Sequence, residues 1–323
     1  MTAVRVDGSD LAVDVLVDAL GRRTPTAQWL AEAGVACRPA ETSDCGVIYY
    51  SRYYRLRPEF DLPDGPWFLS PRGDLGYLGY ATFPGDNRTF AAVLAVPTSV
   101  PQWRMFKDAV AFEAAVARIP ALRQWVDPAG VDPITDVLPM AGLRNTIQSY
   151  DATSAVGLVP IGDAFCHTDP VLAHGIAFAL IHAAELVAAL REHNDRAGAF
   201  TAYAAATTPA LRERYDYATA LDEQRHRMWV GKPVDFARRA GDYALFSMVA
   251  AGAAATIDPD VFPVFVRRIG LLDSTAVLDS NIDLQYRIEE LFRQVLASPP
   301  PPAGPPHEEM LAATTAAVGA SER

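Results

Sequence analysis

The chain has 323 residues, 50% of them hydrophobic, enough for one large or two ordinary domains with a sizeable core. Its 28 basic and 39 acidic residues leave a formal net charge of -11, which repels nucleic acid and anionic membrane surfaces at long range. Three cysteines, Cys37, Cys45 and Cys166, lack Cys-x-x-Cys spacing, and Met1 to Gly8 shows no basic stretch followed by an apolar one. Free thiols, no secretory signal and a cytoplasmic location are therefore expected.

The first segments read as strands. Val4 and Val6 form a short one, Asp7-Gly8 a tight turn, and Leu11 to Ala19 a longer apolar strand. Leu20 to Pro25 breaks it, and Thr26 to Ala33 predicts a short helix with Gly34 just past its end. From Cys45 to Arg57 the alternation predicts a strand with two aromatic-rich faces. Gly76 to Phe83 and Arg88 to Val96 flank the turn formers Pro84-Gly85-Asp86-Asn87, the clearest hairpin in the chain. Helical spacing over Phe106 to Arg118 and Pro120 to Val126 predicts two helices covering that sheet. Strand-like segments return at Ile134 to Met140, Gly142 to Ser149 and Gly157 to Ile161.

From Val171 onward the chain reads as mostly helical. Val171 to Ala184 carries no Lys, Arg, Asp or Glu, yet falls short of the ~18 to 20 residues of a membrane span. It predicts a buried core helix. Ala197 to Asp242 places Tyr203, Leu211, Tyr215, Tyr217, Leu221 and Trp229 on buried faces. Ser298 to Pro306 is proline-rich and should run extended, before an Ala-rich segment, His307 to Ala320, read as a docked or frayed helix.

The chemistry concentrates at Gly157-Leu158-Val159-Pro160-Ile161-Gly162-Asp163-Ala164. An apolar run ending in Gly-Asp delivers a carboxylate to a strand tip, where ligands of open α/β sheets collect. A helix start then follows within about a dozen residues, and its free N–H groups favour an anion or developing negative charge. Two starts compete: Gly175 as the first helical residue, or Asp169 as N-cap with Pro170 behind it. Other chemistries find no pattern. His174, His182 and Glu185 share a helix without His-Glu-x-x-His spacing, so no metal is expected, and no Gly-x-Ser-x-Gly elbow occurs. His167 and Arg144 lie near the Gly-Asp segment but have no sequence partner, which leaves the catalytic residues unassigned. Tyr49, Tyr50, Tyr53, Tyr54, Tyr77 and Tyr80 read either as a substrate lining or as plain sheet packing.

The Gly157 to Ala164 segment, with Cys166-His167-Thr168-Asp169-Pro170 and His174-Gly175, resembles the second FAD motif of flavin-dependent monooxygenases with the glutathione-reductase type of FAD fold. Val15 to Arg22 resembles the Asp-Ala-x-Gly-Arg segment of the same family, in the same order and separation. The resemblance implies that Gly162 and Asp163 meet the ribityl chain, that Pro170 shapes the loop over the flavin, and that Gly175 and Ile176 aim amides at the pyrimidine end. Gly21 would permit a turn near the cofactor. The family often carries two glycines at the helix start, where this chain has one. No Gly-x-Gly-x-x-Gly occurs in the 323 residues, so the resemblance begins after the family's first motif and implies an N-terminally truncated member.

The fold class implied is α+β: a partial FAD-binding α/β fold with an antiparallel substrate-domain sheet and a helical C-terminal region. Residues 1–44 and 150–195 would be the remainder of the FAD domain, 45–149 the substrate sheet, 196–297 the helical region and 298–323 a proline-rich tail. The activity implied is an FAD-dependent oxidoreductase of the monooxygenase type, with NAD(P)H as possible electron donor and a small organic molecule as substrate. A flavin reductase or dehydrogenase fits the same motifs. A halogenase fits least, because no lysine is convincingly placed for it. The reading from another class is a remnant or binding protein that does not retain FAD, having lost the pyrophosphate cradle.

Overall fold

The computed structural model describes residues 3–63, 71–232, 250–273, 280–298 and 303–321. The chain opens with β1 (Ala3–Val6), β2 (Ser9–Ala12), β3 (Leu16–Asp18), α1 (Thr26–Glu32) and β4 (Glu41–Asp44). Then come β5 (Val47–Leu56), β6 (Arg72–Asp74), β7 (Gly79–Pro84), β8 (Thr89–Pro97), α2 (Ala109–Arg118) and α3 (Pro120–Arg123). Short strands follow: β9 (Val131–Pro133), β10 (Leu138–Met140), β11 (Arg144–Ile147), β12 (Leu158–Pro160) and β13 (Cys166–His167). The helices α4 (Gly175–Glu192), α5 (Arg196–Trp229), α6 (Val261–Ile269), α7 (Ile282–Ala297) and α8 (His307–Ser321) complete the order. The segment expected to be helical through Asp242 lies outside the described residues beyond 232, as do residues 299–302 of the proline-rich run.

Contacts divide the chain into two compact units: Met1–Cys45, Arg144–Asp222 and Phe236–Ala297 in one, Gly46–Leu143, Glu223–Asp235 and Ser298–Arg323 in the other. The second is a sheet under helices. Its strands run β10-β5-β8-β7-β6, with β9 also on β5, and every pairing is antiparallel. Tyr50, Tyr54, Phe90, Leu94 and Tyr80 share one face and pack with Trp103, Phe106, Phe112, Leu122 and Trp125 from the helical side. Tyr50, Tyr54, Tyr77 and Tyr80 are therefore core packing, whereas Tyr49 and Tyr53 stand on the other face of β5, Tyr53 43% exposed. Asp108 caps α2 by accepting from the Val110 and Ala111 amides. The Ala-rich segment after the prolines is a docked helix: Met310 of α8 is buried in this core, and the Tyr77 hydroxyl donates to the Pro305 carbonyl at 2.7 Å.

In the first unit, β1 and β2 form a hairpin through Asp7 and Gly8, both at positive φ as a two-residue turn requires. The single strand expected over Leu11 to Ala19 is in fact two. β2 is spent on its hairpin neighbour, whereas β3 pairs in parallel with β12, and Val13 to Val15 turns the chain between those partners. A three-stranded sheet β13-β11-β4 lies in the same unit.

The expected buried core helix also needs correction. It starts at Gly175, and only the stripe Phe178, His182, Leu186 and Ala189 is buried, meeting Val159, Phe200 and Tyr203 or Phe165 and Cys166. Ile176 is 79% exposed and Leu180 67%. A helix apolar all round does not itself say which face is covered. Among the described residues no helix is long and apolar enough to cross a membrane.

Candidate functional site

Two strand tips come together where β3 and β12 run side by side. Pro160 stands opposite Asp18, and the Ile161 amide donates to the Asp18 carbonyl at 3.0 Å. Each strand ends in a one-turn 3-10 helix, Gly21–Arg23 after β3 and Gly162–Ala164 after β12, and the two turns lie against each other. Both open on a glycine in the left-handed region, Gly21 at φ +71° and Gly162 at φ +53°, where a side chain would be strained.

The two carboxylates at these tips have different fates. Asp18 is buried and takes three hydrogen bonds, from the Leu20 amide at 3.0 Å and the Thr24 and Thr26 hydroxyls at 2.7 Å each. It builds the turn that carries Gly21. Asp163 is exposed, and its carboxylate takes no hydrogen bond from the described residues. Its Oδ1 would lie 3.4 Å from a Cβ placed on Gly175, the first residue of α4. The 18-residue helix directs its unpaired N-terminal amides to this end.

The loop between them resolves the competing helix starts. Asp169 does cap, accepting from the Val171 amide at 3.0 Å, but what it caps is a 3-10 turn, Pro170–Leu172. Ala173 at φ 55° then breaks the path, and α4 begins at Gly175 with Ile176 behind it. Thus Gly21, Gly162, Asp163 and Gly175 converge. Pro170 lies on the surface of the connecting loop, and the Ile176 side chain points into solvent.

Three histidines surround this loop, all less basic than usual because burial disfavours the charged ring. His167 on β13 sits with Nδ1 3.3 Å from the Asp163 carbonyl. His174, just ahead of α4, has Nε2 2.8 Å from the Ile269 carbonyl. His182 is pushed down to about 4 and accepts the Gly162 amide on Nδ1 at 2.8 Å. Burial pushes the Cys166 thiol up to about 12, which leaves it unreactive. Arg144 is exposed on β11.

Sequence reasoning missed the residues that hold the site. Thr24 and Thr26 carried a signal, an Asp followed by hydroxyls in a turn. His182, twenty positions from Gly162, carried none. Nor did the fully buried Asn145, whose Oδ1 accepts the Asp169 amide at 2.7 Å and whose Nδ2 donates to Asp222 at 2.8 Å. Beside it, ligand atoms of Cys45, Asp169 and Asp222 lie within 4.8 Å of one another, all three residues buried.

No protein-family profile matches the chain. It is 30% identical over 289 residues to protein Rv3254 of Mycobacterium tuberculosis, which covers 84% of this chain and 56% of that protein. The chain thus spans a little over half the length of the curated relative it matches. Among solved structures, it resembles CmlS, a flavin-dependent halogenase, with a TM-score of 0.50 and 17% identity over 77% of this chain and 47% of the other. PqsL, a probable FAD-dependent monooxygenase from Pseudomonas aeruginosa, aligns with a TM-score of 0.48 and 18% identity over 71% of this chain and 62% of the other. The likeness to CmlS is one of fold.

Proposed function

We propose that the convergence of β3, β12 and α4 is the ribityl and isoalloxazine side of an FAD site, and that the protein is an FAD-dependent oxidoreductase of the monooxygenase type. The observation that carries this reading is the Asp163 carboxylate: exposed, without a hydrogen bond from the described residues, and beside Gly175 at the start of α4. A carboxylate so left accepts hydrogen bonds from a polyol such as the ribityl chain. The N-terminal amides of Gly175 and Ile176 suit negative charge on the pyrimidine ring, worth about 1 kcal/mol or more in a partly buried site. Gly21 keeps its strand tip free of a side chain, Gly162 lets the turn that carries Asp163 close on α4, and the Pro170 turn shapes the loop beside them. When bound, the flavin supplies the redox chemistry, and the protein supplies position and electrostatics.

NAD(P)H is the electron donor in this reading, and a small organic molecule is the substrate. Hydroxylation is the favoured outcome, and the fold shared with CmlS makes halogen transfer the second reading. The test is to titrate purified protein with FAD, following quenching of flavin fluorescence and the visible spectrum. Saturable binding in wild type and its loss in Asp163→Ala are expected. Absence of binding in wild type overturns the flavin reading in favour of a ligand-binding role without FAD. Turnover with NADPH and aromatic substrates, with and without bromide, separates hydroxylated from halogenated product.

A further inference from the structure

The turn that carries Asp163 is not held by its own side chains. Its backbone bonds are the Ala164 amide to the Ile161 carbonyl at 3.2 Å and the Phe165 amide to the Gly162 carbonyl at 3.0 Å. The Gly162 amide, in the buried first residue of the turn, has a different acceptor: Nδ1 of His182 on α4, at 2.8 Å. His182 is 1% exposed, and its Nε2 has no hydrogen-bond partner. The bond to Gly162 is therefore the one hydrogen bond its ring makes among the described residues. The rings of Phe165 and Tyr203 stand 6.4 and 6.0 Å away and hold the imidazole in place. On the other side of Gly162, a Cβ would come within 3.2 Å of Ala179 Cβ on the same helix.

We propose that His182 is a positioning residue of the flavin site: its Nδ1 seats the Gly162 amide on α4, fixes the left-handed turn, and so sets the Asp163 carboxylate beside the helix start. The proposal rests on the flavin reading for its functional half; the seating of the amide stands without it. Helix and turn also meet through the small Gly162–Ala179 contact and the approach of Asp163 to Gly175, but without His182 the buried Gly162 amide would lose its acceptor. The consequence is geometric. One imidazole ties the carboxylate that meets a polyol to the helix whose amides meet a ring, so the two halves of the site keep one spacing.

The choice of substitutions follows from which atom accepts. In His182→Asn the carbonyl oxygen falls near the place of Nδ1, whereas in His182→Gln it reaches toward that of Nε2; His182→Phe keeps the ring and removes the acceptor. Two readouts are taken on each variant: hydrogen exchange of the Gly162 amide in ligand-free protein, and FAD affinity by fluorescence quenching. The Asn variant should stay within about threefold of wild type in both. The Gln and Phe variants should exchange Gly162 at least about tenfold faster and bind FAD at least about tenfold more weakly. If Phe does not fold, the contrast between Asn and Gln decides. Equal behaviour of Asn and Gln, or unchanged Gly162 exchange in Phe, overturns the proposal. Absence of FAD binding in wild type overturns the flavin reading and with it the functional half, while the exchange pattern still decides what seats the turn.

Discussion

Asp18 ends one of two neighbouring parallel strands and Asp163 lies in the one-turn helix after the other; a left-handed glycine opens the turn at each tip, yet the two carboxylates do opposite things. Asp18 is turned inward, and its three hydrogen bonds hold its turn from within. Asp163 is turned outward with its carboxylate unspent, and its turn is held from outside by His182. A carboxylate that builds its own turn is not available to a ligand. One whose turn is built by another residue is.

The largest effect that would test this contrast is on stability. Asp18→Ala removes the acceptor shared by the Thr26 hydroxyl, the Thr24 hydroxyl and the Leu20 amide, and leaves the two hydroxyls, 3.0 Å apart, only each other in a buried or half-buried place. A loss of about 3 to 4 kcal/mol is expected in denaturant unfolding, since each unmet donor costs about 1 kcal/mol or more. An effect on ligand binding with unchanged stability would mean that Asp18 is the ligand-facing group and would reverse the comparison.

Acid should act on the second turn through His182. Its native value is about 4 against an ordinary 6.5, because burial penalises the charged ring. Between those values the unfolded chain holds a proton that the native state does not. The neutral ring's contribution is therefore complete above about pH 6.5 and is lost as pH falls toward 4, up to roughly 3 kcal/mol. His167 and His174, also lowered, add in the same direction. Unfolding free energies measured across this range should fall less steeply in His182→Asn than in wild type. A wild-type slope shared by the variant would show that the loss comes from the other histidines.

Asp163→Ala is the complementary case. The side chain is exposed and takes no hydrogen bond from the described residues, so stability should change by less than about 0.5 kcal/mol. FAD affinity should fall by about a hundredfold, the loss of one or two hydrogen bonds to a charged acceptor. A large fall in melting temperature would assign Asp163 a structural role like that of Asp18.

Much of this contrast can be read in the sequence, and the part that cannot has a physical cause. An apolar run closing on Gly162-Asp163 marks a strand tip because period and turn chemistry are local. The hairpin around Pro84 to Asn87 and the long strand through Tyr50 and Tyr54 are local in the same way. What each tip faces is decided by residues elsewhere in the chain. His182 reaches Gly162 because α4 packs on β12, and Asn145 meets Asp222 across 77 positions. The apolar run from Leu11 to Ala19 divides because β2 and β3 take different partners, a matter of pairing rather than propensity. The exposure of Ile176 and Leu180 likewise depends on what packs on α4, to which composition is blind.

The smallest effect is the sharpest probe of the ligand-facing side. Gly175 is not at positive φ, and among the described residues a Cβ there would meet only Asp163 Oδ1 at 3.4 Å, an ordinary contact. The fold therefore does not require a glycine. Gly175→Ala should leave the free protein as stable as wild type or firmer by up to about 0.5 kcal/mol, because alanine has less backbone freedom to lose. If a flavin ring approaches the start of α4, the added methyl stands in its way, and FAD affinity should fall severalfold while the melting temperature holds or rises. Opposite signs in the two measurements identify a glycine kept for a ligand. If affinity is unchanged, nothing comes close to Gly175, and the ligand-facing side shrinks to the Asp163 carboxylate alone.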